Sequence, residues 1–318
     1  MGQECMVSVI MLAYNCEEHI TQAIESVAAQ EVDFPYEILI GNDASTDATA
    51  QRIREAAQRH PQILPVDRET NTGAAYNAYD LLMRSRGKYL AFCEGDDYWI
   101  DPHKLQRQVR FLESHPEYIG CAHRCLLVDD AGAPLRRQKL PWVKARRRFT
   151  FRDFSGGRFL PGQTATVVKR NLFRDSDEDW SILYSSNRNI SDRISNALYL
   201  LRGDFYCSPE VLTAYRKRSF HSGKNLTSVA FKDNANKCED ELQMNEAMER
   251  YASDYLGKPV RFSRKRADIL LDAFLEAARY RDEEHRAFLR RFLRSSRLAE
   301  FLLLPASAAG KLYRHFLH

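Results

Sequence analysis

The 318-residue chain has no run of 18 apolar residues, so no simple helix of it is expected to span a membrane. Its short polar stretch before Val7 does not read as a secretory leader. Seven cysteines, at positions 5, 16, 93, 121, 125, 207 and 238, are scattered and odd in number. That pattern excludes a disulfide framework and suits a reducing compartment. Cys121, His123 and Cys125 resemble half a metal site, but no second pair stands at zinc spacing, so a buried strand carrying two thiols is the expected reading. No glycine-rich loop follows the first apolar run, where Ala13-Tyr14-Asn15-Cys16 stands instead. A Rossmann dehydrogenase is thereby excluded, and a nucleotidyltransferase loses its usual phosphate loop. Repeats and low-complexity segments are also absent. Basic residues are not interleaved with an aromatic platform, so nucleic acid is not an expected partner.

What is there suits a globular enzyme of one large domain with additions, or of two smaller ones: 44% hydrophobic and 28% charged residues. The net charge of +4 is unevenly placed. Residues 258–318 hold 14 Lys/Arg against 7 Asp/Glu, and the remainder holds 33 against 36. The basic character belongs to the tail.

Up to about residue 114 strand and helix patterns alternate. Strands are expected at Val7–Ala13, Tyr36–Gly41, Ile63–Val66 and Tyr89–Cys93. Helices are expected at Glu17–Gln30, Ala48–His60, Ala74–Ser85 and Pro102–Ser114. Ser45 or Thr46 is the expected cap of the second helix, and Pro102 opens the first turn of the fourth. Such alternation predicts a mainly parallel sheet with helices on its faces, and ligands bind beyond the carboxyl ends of such strands. Further on, Tyr118–Val128, Thr164–Val168 and Glu210–Arg216 read as strands, Asp129-Asp130-Ala131-Gly132 as a turn and Asp192–Leu201 as a helix. Arg146-Arg147-Arg148 reads as a solvated charge run. The tail predicts helices at about 236–256, 265–281 and 283–303.

Glu94-Gly95-Asp96-Asp97-Tyr98-Trp99 follows the fourth apolar run directly. Three carboxylates within four residues at the end of a buried strand repel one another and desolvate badly, and a cation on them relieves both costs. Oxygen ligands suit Mg²⁺ or Mn²⁺. A solvated acidic turn is the bland alternative.

Taken together, Val7–Asn15, Gly41-Asn42-Asp43-Ala44-Ser45-Thr46-Asp47, Asn71-Thr72-Gly73 with Asn77, and Glu94–Trp99 with Asp101-Pro102 and Lys104-Leu105 resemble the family-2 inverting glycosyltransferases of the GT-A fold. The match is dense from about residue 6 to 125 and weaker to about 225. It implies a GT-A catalytic domain over 1–225, with a nucleotide-binding half at 1–125 and an acceptor-side half at 126–225. Residues 226–318 form a helical extension. It also implies a nucleotide-sugar donor, UDP-linked by preference, a divalent Mn²⁺ or Mg²⁺, and transfer to an acceptor hydroxyl with inversion. Asp96 and then Asp97 are the implied metal ligands, and Glu94 reaches the ribose or the metal through water. Asp43 resembles the base-recognising carboxylate. Asn42 departs from the Asp of many relatives, and as a donor-binding residue it would hydrogen-bond the nucleotide through its amide. Ala13, Tyr14 and Asn15 wall the base, and Asn71 and Gly73 lie near ribose or phosphate.

An inverting transfer needs a general base on the acceptor side. Ile190-Ser191-Asp192-Arg193-Ile194 resembles that region, which makes Asp192 the candidate and Asp179 the second choice. A helix-capping role for Asp192 is the plain alternative. Tyr215-Arg216 with His221-Ser222 resembles the family's ending at altered spacing. Arg218 offers the diphosphate a fixed cation and His221 offers a metal ligand, and both readings stay open. The expected reaction belongs to surface-polysaccharide or related glycan synthesis on a glycan or lipid-linked acceptor. The expected place is the cytoplasm, peripheral on the inner face of the membrane. The basic amphipathic tail suits an anionic membrane surface, the catalytic domain or a second copy of the chain. The alternative from another class is a GT-A scaffold that binds nucleotide-sugar without turnover.

Overall fold

A computed structural model describes residues 4–137, 147–158, 160, 164–187, 192–217, 234–280 and 283–317. The chain divides into two compact units, one of Met1–Phe151 with Phe159–Ser219, the other of Arg152–Arg158 with Phe220–His318.

The first unit is built on a nine-stranded sheet. Its strands are β1 (Val7–Ala13), β2 (Tyr36–Asn42), β3 (Ile63–Asp67), β4 (Tyr89–Phe92), β5 (Tyr98–Trp99), β6 (Tyr118–Val128), β7 (Arg148–Phe149), β8 (Val168–Arg170) and β9 (Asp204–Arg216). They lie in the order β3-β2-β1-β4-β8-β6-β9-β5, with β7 also on β9. β3, β2, β1 and β4 pair in parallel, as the alternation with helices requires. β8 then runs antiparallel to both β4 and β6, and β6 pairs in parallel with β9. The sheet is therefore wholly parallel from β3 to β4 and mixed beyond β4.

Helices α1 (Glu17–Ala28), α2 (Thr49–Arg59), α3 (Ala74–Arg84) and α4 (Lys104–Ser114) connect these strands. The short helices α5 (Phe151–Ser155), which from Arg152 on belongs to the second unit, α6 (Ile182–Ser185) and α7 (Asp192–Leu200) follow. β1 is buried along its length because helices cover both faces, which explains its unbroken apolar run. Val7, Val9 and Met11 of β1 pack with Ile20, Ile24 and Val27 of α1, Ile53 of α2 and Leu105, Val109 and Leu112 of α4.

Some expectations need correction. Neither Ser45 nor Thr46 caps α2. Ala48 holds the cap position, and the carboxylate of Asp47 accepts the Thr49 N–H at 3.0 Å. Pro102 lies ahead of α4, which starts at Lys104. Thr164–Thr166 is a 3-10 turn, and only Val168–Arg170 of that region is strand. β9 begins six residues before its expected start, because Asp204–Cys207 pairs with β6. Arg148 lies in β7 opposite Tyr206 and donates to Asp204 at 2.6 Å, so the arginine run is partly structural.

The second unit contains α8 (Asn234–Asp254), α9 (Ser263–Tyr280), α10 (Glu283–Ser295) and α11 (Leu298–Leu317). One helix expected over 283–303 is two, parted at Ser296-Arg297. Cys238, Ile269, Leu270, Ala273, Phe288 and Phe292 form its core. Phe154 of α5 packs edge-on against Phe262 in the same unit. Among the described residues no helix is long and apolar enough to cross a membrane.

Candidate active site

Two loop systems meet at the carboxyl end of β1. The first stitches the β1–α1, β2–α2 and β3–α3 connections together. Ala13 accepts the Asp43 N–H at 3.0 Å. Asn15 sits at φ 47°, and its side-chain oxygen accepts the Thr46 N–H at 2.8 Å. The left-handed backbone suits asparagine, which tolerates that region better than most residues. Tyr14, beside it, is exposed.

Asp43 is buried, and its carboxylate accepts from the Thr72 N–H and hydroxyl at 2.8 Å and from the Gly73 N–H at 2.9 Å. Asn71 returns a hydrogen bond to the Asp43 carbonyl at 3.2 Å. Gly73 takes φ 91°, which a side chain would strain, and opens α3. Asp43 and the Asn71–Gly73 segment, 28 to 30 positions apart in sequence, are thus one bonded cluster. Asn42 is turned inward: its amide donates to Asp67 at 2.8 Å and accepts from the Ser45 N–H at 3.2 Å.

The second system is the acidic loop between β4 and β5. Gly95 donates to the Leu12 carbonyl at 3.0 Å, which lays the loop on the end of β1. A Cβ on Gly95 would stand 2.8 Å from the Cys16 sulfur and 3.0 Å from the Leu12 oxygen. Gly95→Ala is therefore expected to destabilise the protein by about 1–3 kcal/mol and to displace the loop, as read by denaturant midpoint and nucleotide affinity together. An unchanged midpoint would show that the loop gives way freely.

β5 pairs antiparallel with β9, Tyr98 opposite Ala214 and Trp99 opposite Thr213. That pairing brings Arg216 to the loop. Its backbone N–H donates to one Asp97 oxygen at 2.9 Å, and its guanidinium donates to the carbonyls of Asp96 and Asp130 and to the Gln22 side chain. The other Asp97 oxygen, Oδ2, is buried with no hydrogen-bond partner among the described residues. Burial, then the charges of Asp96 and Glu94, hold the Asp97 carboxyl well above the usual range. Burial, followed by Asp96 and Asp192, pushes Glu94 up to about 8, against a hydrogen bond from Thr164. Asp192, at the start of α7 and exposed, acts on Glu94 and also on Lys169. Asp96 in turn acts on the Cys16 thiol. Glu94, Asp96, Asp97 and Asp192 therefore share one electrostatic site. Asp179 caps its own turn through the Ser181 N–H at 2.9 Å.

These residues fit a divalent ion: an orphaned buried carboxylate oxygen and mutually repelling acids are what a hard cation relieves. Glu94, Asp96 and Asp97 do not by themselves bring three ligand atoms within 4.8 Å; among the described residues only Glu18, His19 and Asp130 do. Arg218 and His221 lie outside the described residues.

Three groups here have no role assigned from the sequence. Arg216 was legible only as part of a motif, because its partners are up to 194 positions away. Lys104 and Lys169 are fully buried behind the loop, each pulled down to about 7, principally by burial. Lys104 lies 4.0 Å from the centre of the Trp99 ring, and its ammonium has no hydrogen-bond partner among the described residues. Lys169 donates to Ser195 at 2.7 Å. A lysine whose folded pKa is depressed costs stability at low pH, and the cost fades as pH rises from about 7 toward the ordinary lysine value near 10.4. Lys104→Met is thus expected to be more stable than wild type at pH 7. Its advantage should shrink with rising pH by up to about 1.4 kcal/mol per unit. Paired denaturant curves from pH 7 to 9 read this, and a constant difference would refute it.

Comparisons with known proteins follow the same lines. Mycobacterium tuberculosis Rv1520 is 37% identical over 214 residues, 67% of this chain and 59% of that protein. The Escherichia coli UDP-Glc:α-D-GlcNAc-diphosphoundecaprenol β-1,3-glucosyltransferase WfaP is 34% identical over 115 residues, 36% of this chain and 44% of that one. The chain thus spans less than two thirds of these curated relatives. Among solved structures, S. aureus TarS 1–349 in complex with UDP-GlcNAc superposes with a TM-score of 0.55 at 17% identity, covering 92% of this chain and 93% of that one. At that identity the likeness is one of fold, the GT-A fold. The glycosyl transferase family 2 profile matches residues 8–176, more than half of the chain, and so the protein belongs to glycosyl transferase family 2.

Proposed function

We propose that the protein is a metal-dependent, inverting glycosyltransferase that moves a sugar from a nucleotide-sugar, UDP-linked by preference, to an acceptor hydroxyl in surface-polysaccharide or lipid-linked glycan synthesis. The observation that carries the proposal is the acidic loop. It lies on the end of β1, it has a buried Asp97 oxygen without a partner among the described residues, and Asp192 acts on its Glu94.

In this reading Asp96 and Asp97 hold Mn²⁺ or Mg²⁺, with His221 as a further ligand. The ion supplies neutralisation of the diphosphate charge as the glycosidic bond breaks. Ala13, Tyr14 and Asn15 line the base. Asp43 faces the base while fixing the β3–α3 loop, and Asn42 supports it from behind. Asn71 and Gly73 approach ribose or phosphate, Glu94 borders the ribose, and Arg218 meets the diphosphate. Asp192 accepts the proton of the attacking hydroxyl. The UDP preference draws on the UDP-GlcNAc in TarS, and the acceptor class on the diphosphoundecaprenol named for WfaP.

The same reading places the enzyme on the cytoplasmic side, peripheral to the membrane. On α11 Leu298, Phe301, Leu302 and Pro305 form an exposed apolar row at helical spacing in a basic tail. That row suits an anionic leaflet or a second copy of the chain.

The test is nucleotide release from a panel of UDP-, GDP- and dTDP-sugars with Mn²⁺, Mg²⁺ or EDTA. Slow release from one donor, abolished by EDTA, is the expected result. Nucleotide binding without release or transfer to any glycan would favour the scaffold reading, and no binding at all would remove both.

A further inference from the structure

Tyr76 and Tyr79 of α3 and Tyr184 of α6 form a three-ring cluster on the first unit. Their centroids are 5.9 Å apart for Tyr76 and Tyr79, 5.1 Å for Tyr76 and Tyr184, and 4.7 Å for Tyr79 and Tyr184. Tyr76 and Tyr184 meet edge to face at 85°, and the other two pairs are tilted. Tyr76 is exposed, and the other two are half-buried. None of the three hydroxyls has a hydrogen-bond partner among the described residues.

Phenols at such partly exposed positions hydrogen-bond water, which a ligand with hydroxyl groups of its own can replace. Here the rings meet at 43°, 85° and 52°, and no described residue takes up their hydroxyls. The cluster is also held in place: Arg68 lies 5.5 Å from the Tyr76 ring centre, itself bonded to Asn77 at 3.1 Å and to Asp80 at 2.9 Å. A fixed aromatic surface with unspent hydroxyls matches a pyranose ring, which has an apolar C–H face and a rim of hydroxyl groups.

Position narrows the ligand. Tyr76 follows Gly73 by three residues in the helix that the Asp43 cluster opens. Tyr184 precedes Asp192 by eight residues, and α6 packs on α3. The cluster thus lies within one helical turn of the Asp43 cluster, and α6 also packs on α7, which begins at the candidate base. An acceptor must approach from the side of that base.

We propose that Tyr76, Tyr79 and Tyr184 form a stacking platform for a sugar ring of the saccharide acceptor, holding a ring that does not itself react. The inference rests on the transferase reading above. The platform would set which acceptor is used and leave donor binding alone.

The experiment is saturation-transfer NMR on the full chain with methyl β-glucoside, methyl N-acetyl-α-glucosaminide, cellobiose and chitobiose, beside a UDP titration. Three proteins are compared: wild type, Y76A/Y184A and Y76F/Y184F. At least one saccharide should receive saturation on its C–H face. Its affinity should fall about tenfold or more in Y76A/Y184A and stay within about threefold in Y76F/Y184F, with UDP affinity unchanged in both. Absence of saccharide binding in wild type would overturn the platform. So would equal binding in Y76A/Y184A, or a parallel loss of UDP affinity, which would assign the cluster to donor binding or to folding. A wild type that binds saccharide on these rings but no nucleotide would sink the transferase reading and leave the platform standing.

Discussion

Asp96→Ala is expected to lower sugar transfer by about three orders of magnitude or more, since metal stabilisation of a leaving diphosphate is worth several kcal/mol. Asp96 is a cleaner probe than Asp97. The Asp97 carboxylate takes the Arg216 N–H, and its removal would leave that buried amide unpaired and confound folding with catalysis. Asp96 engages Arg216 through its backbone carbonyl, which the substitution leaves in place. The variant should keep its unfolding midpoint, lose the response to Mn²⁺ and bind nucleotide weakly. Asp192→Asn makes the contrast. It should retain metal and donor binding and lose transfer by about 10²–10⁴-fold, the usual worth of a general base. If Asp96→Ala transferred sugar at the wild-type rate, the acidic loop would not be the metal site. If Asp192→Asn did, the base would lie elsewhere, with Asp179 next in line.

The largest effect on stability is expected in the helical unit, from Glu300→Ala. Glu300 is fully buried in α11. Its carboxylate takes Arg261 at 2.7 Å, lies 3.2 Å from the equally buried Arg266, and accepts the Arg297 N–H at 2.7 Å. Arg266 also reaches Glu246 of α8 at 3.2 Å, and Glu249 of α8 accepts the Phe262 N–H at 2.8 Å. One carboxylate therefore ties α11 to α9, and the arginines carry the tie on to α8. Its removal takes an acidic partner from the buried Arg266 and from Arg261. Breaking such a network from one side costs about 3–5 kcal/mol, because buried positive charge is left less well compensated. Thermal unfolding of the full chain should show a lowered transition for Glu300→Ala and a smaller loss for Glu300→Gln. An unchanged melt would mean that water replaces the carboxylate.

Neither outcome depends on how the two units sit together, and each reads a network invisible to local pattern. Arg216 shows why. As sequence it is the second half of a Tyr-Arg pair; in the fold it joins Gln22, Asp96, Asp97 and Asp130, because β5 is pinned to β9. Lys104 and Lys169 were equally hidden. A lysine in an amphipathic helix or a short strand reads as solvated, and only the closure of the sheet over it decides otherwise.

The sequence by itself determined the elements and the kind of site. Periodicity is local, so β1 to β4 and α1 to α4 were legible within a few residues, and the parallel order followed from their alternation. The acidic motif was legible because its carboxylates are contiguous. Tertiary structure alone decided how those residues are placed: the Asp43 clasp on Thr72 and Gly73, the charge of Asp192 acting on Glu94, the buried Asp97 oxygen that no described residue bonds, the mixed sheet beyond β4, and the passage of Arg152–Arg158 into the second unit. The physical reason is separation along the chain. Contacts between residues tens to hundreds of positions apart depend on loop closure and on the packing of whole elements, and no short window of residues encodes them.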